Sequence, residues 1–216
     1  MEIITVERRI LEKNEDIAKE NREILRGKNV RTLDLLSSPG SGKTAILEQT
    51  LDLLAGRIRM AVIEGDVQTD NDARRIAKHG VPVVQIITHG GCHLDARLVR
   101  SAMDSLALDD LDILFIENVG NLVCPAAFDL GEDEKVVILS VTEGDDKPLK
   151  YPLAFRAAKT CILNKTDLLP HVEFRSEVFR ENVFRINPKA TLFEMSAKTK
   201  EGFGAWTAWL SDTLLP

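Results

Sequence analysis

The feature that most constrains this chain is an eight-residue connection, "SSPGSGKT", over residues 37–44. It joins an apolar run, "VRTLDLLS", to a helical pattern, "KTAILEQTLDLLAG", that stops at Gly56. Gly40, Gly42, Lys43 and Thr44 match most of the pattern G-x-x-x-x-G-K-[ST], with Ser41 and Ala45 inside and just beyond it. Glycines at that spacing let backbone N–H groups turn inward and cradle phosphate oxygens. The helix that follows aims its positive end at the same anion. Lys43 is then placed to reach the β and γ phosphates, and Thr44 to offer its hydroxyl to Mg²⁺. Ser37 stands where the first glycine of the pattern is expected. That position closes the strand, and a small residue suffices if φ stays negative.

Such a loop needs a strand before it and a helix after it, and the rest of the chain keeps that rhythm. "IRMAVIEGD", "VPVVQIIT", "LDILFIENVG", "KVVILSV", "TCILNKTD" and "ATLFEMSA" read as further strands. "DNDARRIAKHG", "HLDARLVRSAMDSLAL", "VEFRSEVFRENVFRIN" and "GFGAWTAWLSDTLL" read as helices between and after them. Strands that are apolar almost throughout, separated by helices, imply an α/β fold with a mostly parallel sheet covered on both faces. Ligands of such sheets sit beyond the carboxyl ends of the strands.

Residues 1–27 form a separate piece. Val6, Ile10, Ile17 and Ile24 recur at helical spacing, with Leu11, Ala18 and Leu25 beside them. This is an amphipathic helix expected to pack on the domain formed by residues 28–216. The net charge of −6, with no basic stripe, argues against a nucleic-acid partner. No apolar run has the length of a membrane span, and the first residues lack a signal-peptide core, so a cytoplasmic protein is expected. Three cysteines, Cys92, Cys124 and Cys161, are too few for a disulfide framework. Cys161 lies in an apolar strand and reads as a small core residue. Trp206 and Trp209 read as the docking face of the last helix.

"NKTD", residues 164–167, follows a strand and matches the N-K-x-D signature of GTPases. A carboxylate at Asp167 can accept hydrogen bonds from both guanine N1–H and the 2-amino group, a pair that adenine lacks. Lys165 lies along the base, and Asn164 holds the neighbouring loops. Ser196, Ala197 and Lys198, at the end of the next strand, match the supporting loop beside the base. Glu64 and Asp66 follow the second strand, and Glu117 follows the fourth. Asp66 and Glu117 are the candidates to hold Mg²⁺ with Thr44. Gly120 is the candidate γ-phosphate sensor, and Asp72 the candidate to orient the attacking water.

"GGCH" and "NLVCP" fall at the same end of the sheet as this site. Cys92, His93 and Cys124 are thus a candidate soft-ligand set for Zn²⁺ or Ni²⁺, with His89 nearby. Three ligands underfill a closed site, so either water or a second chain completes it.

Taken together, "SPGSGKT", "EGD", "CHLDARLV", "FIENVGNLVCPAAFDLG", "TEGDDKPLKYP", "NKTDL" and "INP" resemble the hydrogenase nickel-incorporation GTPases, the HypB family. The resemblance runs from Val30 onward. It implies a G domain of the class shared by signal-recognition-particle and MinD-like GTPases. It also implies a slow GTPase and a homodimer formed on GTP or metal binding. Zn²⁺ or Ni²⁺ would be held by Cys92, His93 and Cys124 at the dimer interface. A zinc-containing HypA-type partner and delivery of nickel to the large subunit of [NiFe] hydrogenase are implied too. No cysteine precedes Cys92 and no histidine precedes His79, so the tight-binding and storage motifs of some members are missing from this sequence. The urease-accessory relatives carry Cys-Pro-His, whereas Cys124-Pro125 here leads to Ala126. A nucleotide-locked metal-binding dimer without turnover and a small-molecule kinase are the other readings of a phosphate loop. "NKTD" speaks against the kinase.

Overall fold

Seven apolar runs form strands: β1 (Arg31–Ser37), β2 (Met60–Asp66), β3 (Val83–Ile87), β4 (Ile113–Glu117), β5 (Glu134–Ser140), β6 (Thr160–Asn164) and β7 (Thr191–Glu194). The computed structural model describes residues 6–214, and side chains over 11–212. The strands pair in parallel in the order β3-β2-β4-β1-β5-β6-β7. The helices are α1 (Val6–Gly27), α2 (Lys43–Leu54), α3 (Asn71–Ala77), α4 (Ala96–Met103), α5 (Cys124–Ala127), α6 (Lys147–Lys150), α7 (Pro152–Ala157), α8 (Ser176–Ile186) and α9 (Phe203–Leu214).

The two-residue period of each strand sorts its side chains between two cores. Leu33, Leu35, Val62, Phe115, Val136 and Ile138 meet α2, α3 and α9 on one face. On the other face, Ala61, Ile63, Leu114 and Ile116 meet α4 and Leu25 of α1. Val137, Leu139, Cys161 and Leu163 meet α7 and α8 on that same face. Cys161 is buried, and its thiol is pushed up to about 12 by burial alone, which leaves it inert. Trp206 is buried, donates from Nε1 to Thr50 Oγ1 at 3.0 Å, and stacks on Trp209 with ring centroids 5.2 Å apart.

Helix α1 is fixed by polar contacts as well as by its apolar stripe. Ala18 and Leu25 are buried, and so are Asn14 and Asn21. Asn21 Nδ2 donates to the carbonyls of Ala96 (2.8 Å) and Leu130 (2.9 Å), while Asn14 Oδ1 accepts from Ala96 N at 2.8 Å. Val6 and Ile10 of the expected stripe lie outside the residues whose side chains are described.

Helix α4 is shorter than its sequence pattern. Asp95 caps it by accepting from Leu98 N at 2.7 Å, so His93 and Leu94 stay in the loop. Helices α5, α6 and α7 have no counterpart among the expected helices. Each spans four to six residues, too few to display a 3.6-residue period, and each has proline in its first turn. No helix among the described residues is long and apolar enough to cross a membrane.

Candidate functional site

The carboxyl ends of β1, β2 and β4 open onto a cleft of about 460 Å³, lined by the phosphate loop and by Glu64, Asp66, Asp72, Arg75 and Gly120. Gly40 and Gly42 take left-handed φ values of 78° and 91°, which turn the loop back over the start of α2. Ser37 is not among the residues with positive φ, so its side chain is accommodated at the strand end, where Oγ donates to Ser38 O at 2.9 Å.

Gly42 also touches the base-reading edge. A Cβ there would run into Asn164 Nδ2, the atom that donates to Ser41 O at 2.9 Å. Gly42→Ala combines that collision with left-handed strain of about 1–3 kcal/mol. Nucleotide affinity should fall by about tenfold or more, as measured by fluorescence titration; unchanged affinity would contradict this packing.

Lys43 Nζ lies 2.9 Å from Glu117 Oε1, and Thr44 Oγ1 donates to the same oxygen at 2.6 Å. Glu64 and Glu117 are in-register partners on β2 and β4. They have the same parity as Val62 and Phe115, so both point to the α2 face. Both are buried, and Oε2 of each has no hydrogen-bond partner within the chain. Burial and the Glu117 charge push the Glu64 carboxyl up to about 11, against the pull of Lys43. Burial pulls the Lys43 ammonium down, but Glu117 and Glu64 outweigh it and hold it above the usual lysine range.

The sequence reading joins Asp66 to Glu117 for Mg²⁺. The fold also gathers Glu64 and Asp72 around Glu117, with carboxylate oxygens of the three within 4.8 Å of one another. Asp66 lines the cleft, but its Oδ1 accepts from Gln68 N (2.8 Å), Thr69 N (2.6 Å) and Thr69 Oγ1 (3.2 Å). Burial pushes that carboxyl up, and the bonds from Thr69 and Gln68 hold it below its usual range. Asp72 is steered by Arg75 Nη1 at 2.9 Å, and Arg75 is itself gripped by both oxygens of Glu48 (3.0 and 2.6 Å). A hard divalent cation fits this set. The donors are all oxygens, and two buried carboxylate oxygens lack a partner.

The base-reading edge is assembled from β6 and the loop after β7. Asn164 Oδ1 accepts from Ala197 N at 3.1 Å, and Lys165 Nζ donates to Gly40 O at 2.7 Å. Lys165 holds a left-handed φ of 61°. Ser196 Oγ donates to Asp167 Oδ1 at 2.6 Å and accepts from Lys198 N at 3.2 Å. Asp167 is thus held by one oxygen, and the phosphate loop is tied to the base-reading residues by Asn164 and Lys165. Gly120 packs on Pro39, where an added Cβ would come within 3.2 Å.

A few residues from Gly120, the second donor set converges. Cys92, His93 and Cys124 have ligand atoms within 4.8 Å of one another. His89 is not in that group. Cys92 Sγ lies 3.5 Å from His93 Nδ1, and the His93 ring rests on Phe128 with centroids 3.9 Å apart. Burial lowers His93 against the pull of Asp95, favouring the neutral imidazole that a metal requires. The Cys124 side chain, hydrogen-bonded to Cys92, and then desolvation raise the Cys92 thiol above its ordinary range. Two thiols and an imidazole suit a soft or borderline cation.

A family model described as CobW/HypB/UreG, nucleotide-binding domain, matches residues 32–194. The hydrogenase maturation factor HypB of Azotobacter vinelandii is 55% identical over 210 residues, covering 96% of this chain and 69% of that protein. The fold is similar to the crystal structure of HypB from Helicobacter pylori in complex with nickel. That likeness has a TM-score of 0.88 and 41% identity, covering 92% of this chain and 93% of the other. A signal recognition particle 54 kDa protein from Aeropyrum pernix in complex with GDP shares the fold alone. Its TM-score is 0.60 at 14% identity, over 92% of this chain and 53% of the other.

Proposed function

The chain belongs to the CobW/HypB/UreG nucleotide-binding family as a HypB-type hydrogenase maturation factor, and from that premise we propose a GTP-hydrolysing switch that opens and closes a nickel-transfer site. The observation that carries this reading is the continuity of residues 117–124. They begin at Glu117, which accepts from Lys43 and Thr44, pass Gly120 in the cleft lining, and end at Cys124, one of three donors that could hold a metal ion.

The loop around Gly40, Ser41, Gly42 and Ala45 wraps the phosphates, and Lys43 carries positive charge to the transferring group. Thr44, Asp66 and Glu117, with Glu64 and Asp72 beside them, would hold Mg²⁺, which would offset charge on the phosphate oxygens. Asp72, fixed by Arg75, orients the attacking water. Asp167 selects guanine, with Asn164, Lys165, Ser196, Ala197 and Lys198 holding it in place. Turnover is slow, because positioning supplies the catalysis and a partner or second copy completes it.

Nickel is cargo at Cys92, His93 and Cys124, and Zn²⁺ competes for the same donors. Three donors leave a coordination position that a second copy fills in a two-fold homodimer closed by GTP. Cargo then passes between a HypA-type zinc metallochaperone and the hydrogenase large subunit.

Turnover with GTP and with ATP, in the parent and in Asp167→Ala, tests the enzymatic half. The parent should strongly prefer GTP, and the variant should lose about a hundredfold or more of that preference. Equal use of both nucleotides by the parent would sink the reading.

A further inference from the structure

We propose that Asn118 is the positioning residue through which the γ-phosphate loop and the metal corner sense one another. This rests on the reading above, in which nucleotide state alters metal affinity, and it names the side chain that carries the effect.

A charge stands in β1 where the strand pattern calls for a hydrophobe. Asp34 lies in the middle of β1, on the face occupied by Leu36, Ile116 and Val137, and it is fully buried. Its in-register neighbour on β5 is Lys135, whose Nζ donates to Asp34 Oδ2 at 2.7 Å and pairs with Glu132 at 2.9 Å. A buried carboxylate in a central strand has only its partners to satisfy it, so it becomes a rigid anchor.

Asn118 is built onto that anchor. It follows β4, is fully buried, and donates from Nδ2 to Asp34 Oδ1 at 3.0 Å. Its Oδ1 accepts twice, from Val119 N at 3.0 Å and from Leu94 N at 3.2 Å. Val119 precedes Gly120 in the lining of the phosphate-loop cleft, and Leu94 follows His93 of the soft-donor set. One amide oxygen with two lone pairs therefore holds both loops, and both lone pairs are used. Val119 cannot move toward a γ-phosphate without either taking Asn118 and Leu94 with it or leaving a buried N–H unpaired. Folded chains avoid the second outcome.

A second arm leads to the same corner. Lys135 Nζ also donates to Phe128 O at 2.8 Å, and the Phe128 ring carries His93. The anchor thus fixes the imidazole from below, while Asn118 fixes the backbone beside it. Asn121 makes a separate link to Cys92 O, but that bond is 3.3 Å long and exposed, so water competes for it.

The test is a Ni²⁺ titration of the full chain with GDP and with a non-hydrolysable GTP analogue, in the parent and in the near-isosteric Asn118→Leu. The readout is the ratio of the two Ni²⁺ affinities, which a uniformly weakened fold does not move. The parent should show a ratio of about tenfold, and the variant a ratio within about twofold of unity. A variant that keeps the parent's ratio overturns the role of Asn118 and leaves the GTP-gated reading standing. A parent with equal affinities in the two states overturns that reading and this inference with it. If Asn118→Leu does not fold, residue-resolved amide exchange on the parent decides. Exchange at Leu94 and Val119 should change together when the analogue replaces GDP. A change at Val119 alone, or at neither, rules the coupling through Asn118 out.

Discussion

Lys43→Ala is expected to lower GTP turnover by about three orders of magnitude. In the fold this ammonium is buried against Glu117, with Glu64 and Asp72 acting on it from the same side. In the proposed function it is the cation that the start of α2 presents to the transferring phosphoryl group. Without it, the buried Glu117 carboxylate loses its ion-pair partner and faces the incoming phosphates beside Glu64, which burial and Glu117 push up to about 11. The substitution removes transition-state charge stabilisation and adds ground-state repulsion at the place where nucleotide must enter. Single-turnover hydrolysis, with nucleotide affinity measured in parallel, separates the two effects. A rate within tenfold of the parent would remove Lys43 from the catalytic set.

The second large effect is expected at the metal corner. Cys92→Ala/Cys124→Ala should weaken Ni²⁺ and Zn²⁺ binding by at least about a hundredfold. Of the three ligand atoms within 4.8 Å, only the His93 imidazole survives, and a single neutral nitrogen on a loop is a weak site. Neither thiol lies in the central cores, so the fold should persist: Cys92 is exposed and Cys124 is half-buried. Equilibrium titration against a chromophoric chelator reads the loss. Parent-like affinity in the double variant would place the metal elsewhere.

Much of this site is legible in the sequence because its chemistry is local. Gly40, Gly42, Lys43 and Thr44 sit within one turn, and residues 164–167 within another, so their spacing carries their geometry. The soft-ligand set is also legible, since each of its loops follows a strand. What the spacing cannot give is cross-strand register. Both Glu64 and Asp66 end the same strand, and choosing between them needs the pairing of Glu64 with Glu117 and the turn in which Asp66 binds Gln68 and Thr69. A strand buried on both faces has no polar alternation to reveal its parity. A parity count from Val62 does not choose between them either, since Glu64 and Asp66 fall on the same face of β2. The Asp34–Lys135–Asn118 knot is hidden for the same reason, because Asp34 lies 84 residues from Asn118 and 101 from Lys135 along the chain. Helices α5 to α7 are too short for periodicity to report, and only their prolines mark them.

In the proposed function the nucleotide site and the soft-metal site form a single device. Linkage makes the claim measurable from the nucleotide side. The most direct test is the affinity of GDP and of a non-hydrolysable GTP analogue, each measured without metal and with saturating Ni²⁺. Ni²⁺ is expected to change the preference between the two nucleotides by about five- to tenfold. A preference that is the same with and without Ni²⁺ would contradict it, and would leave two independent sites on one G domain.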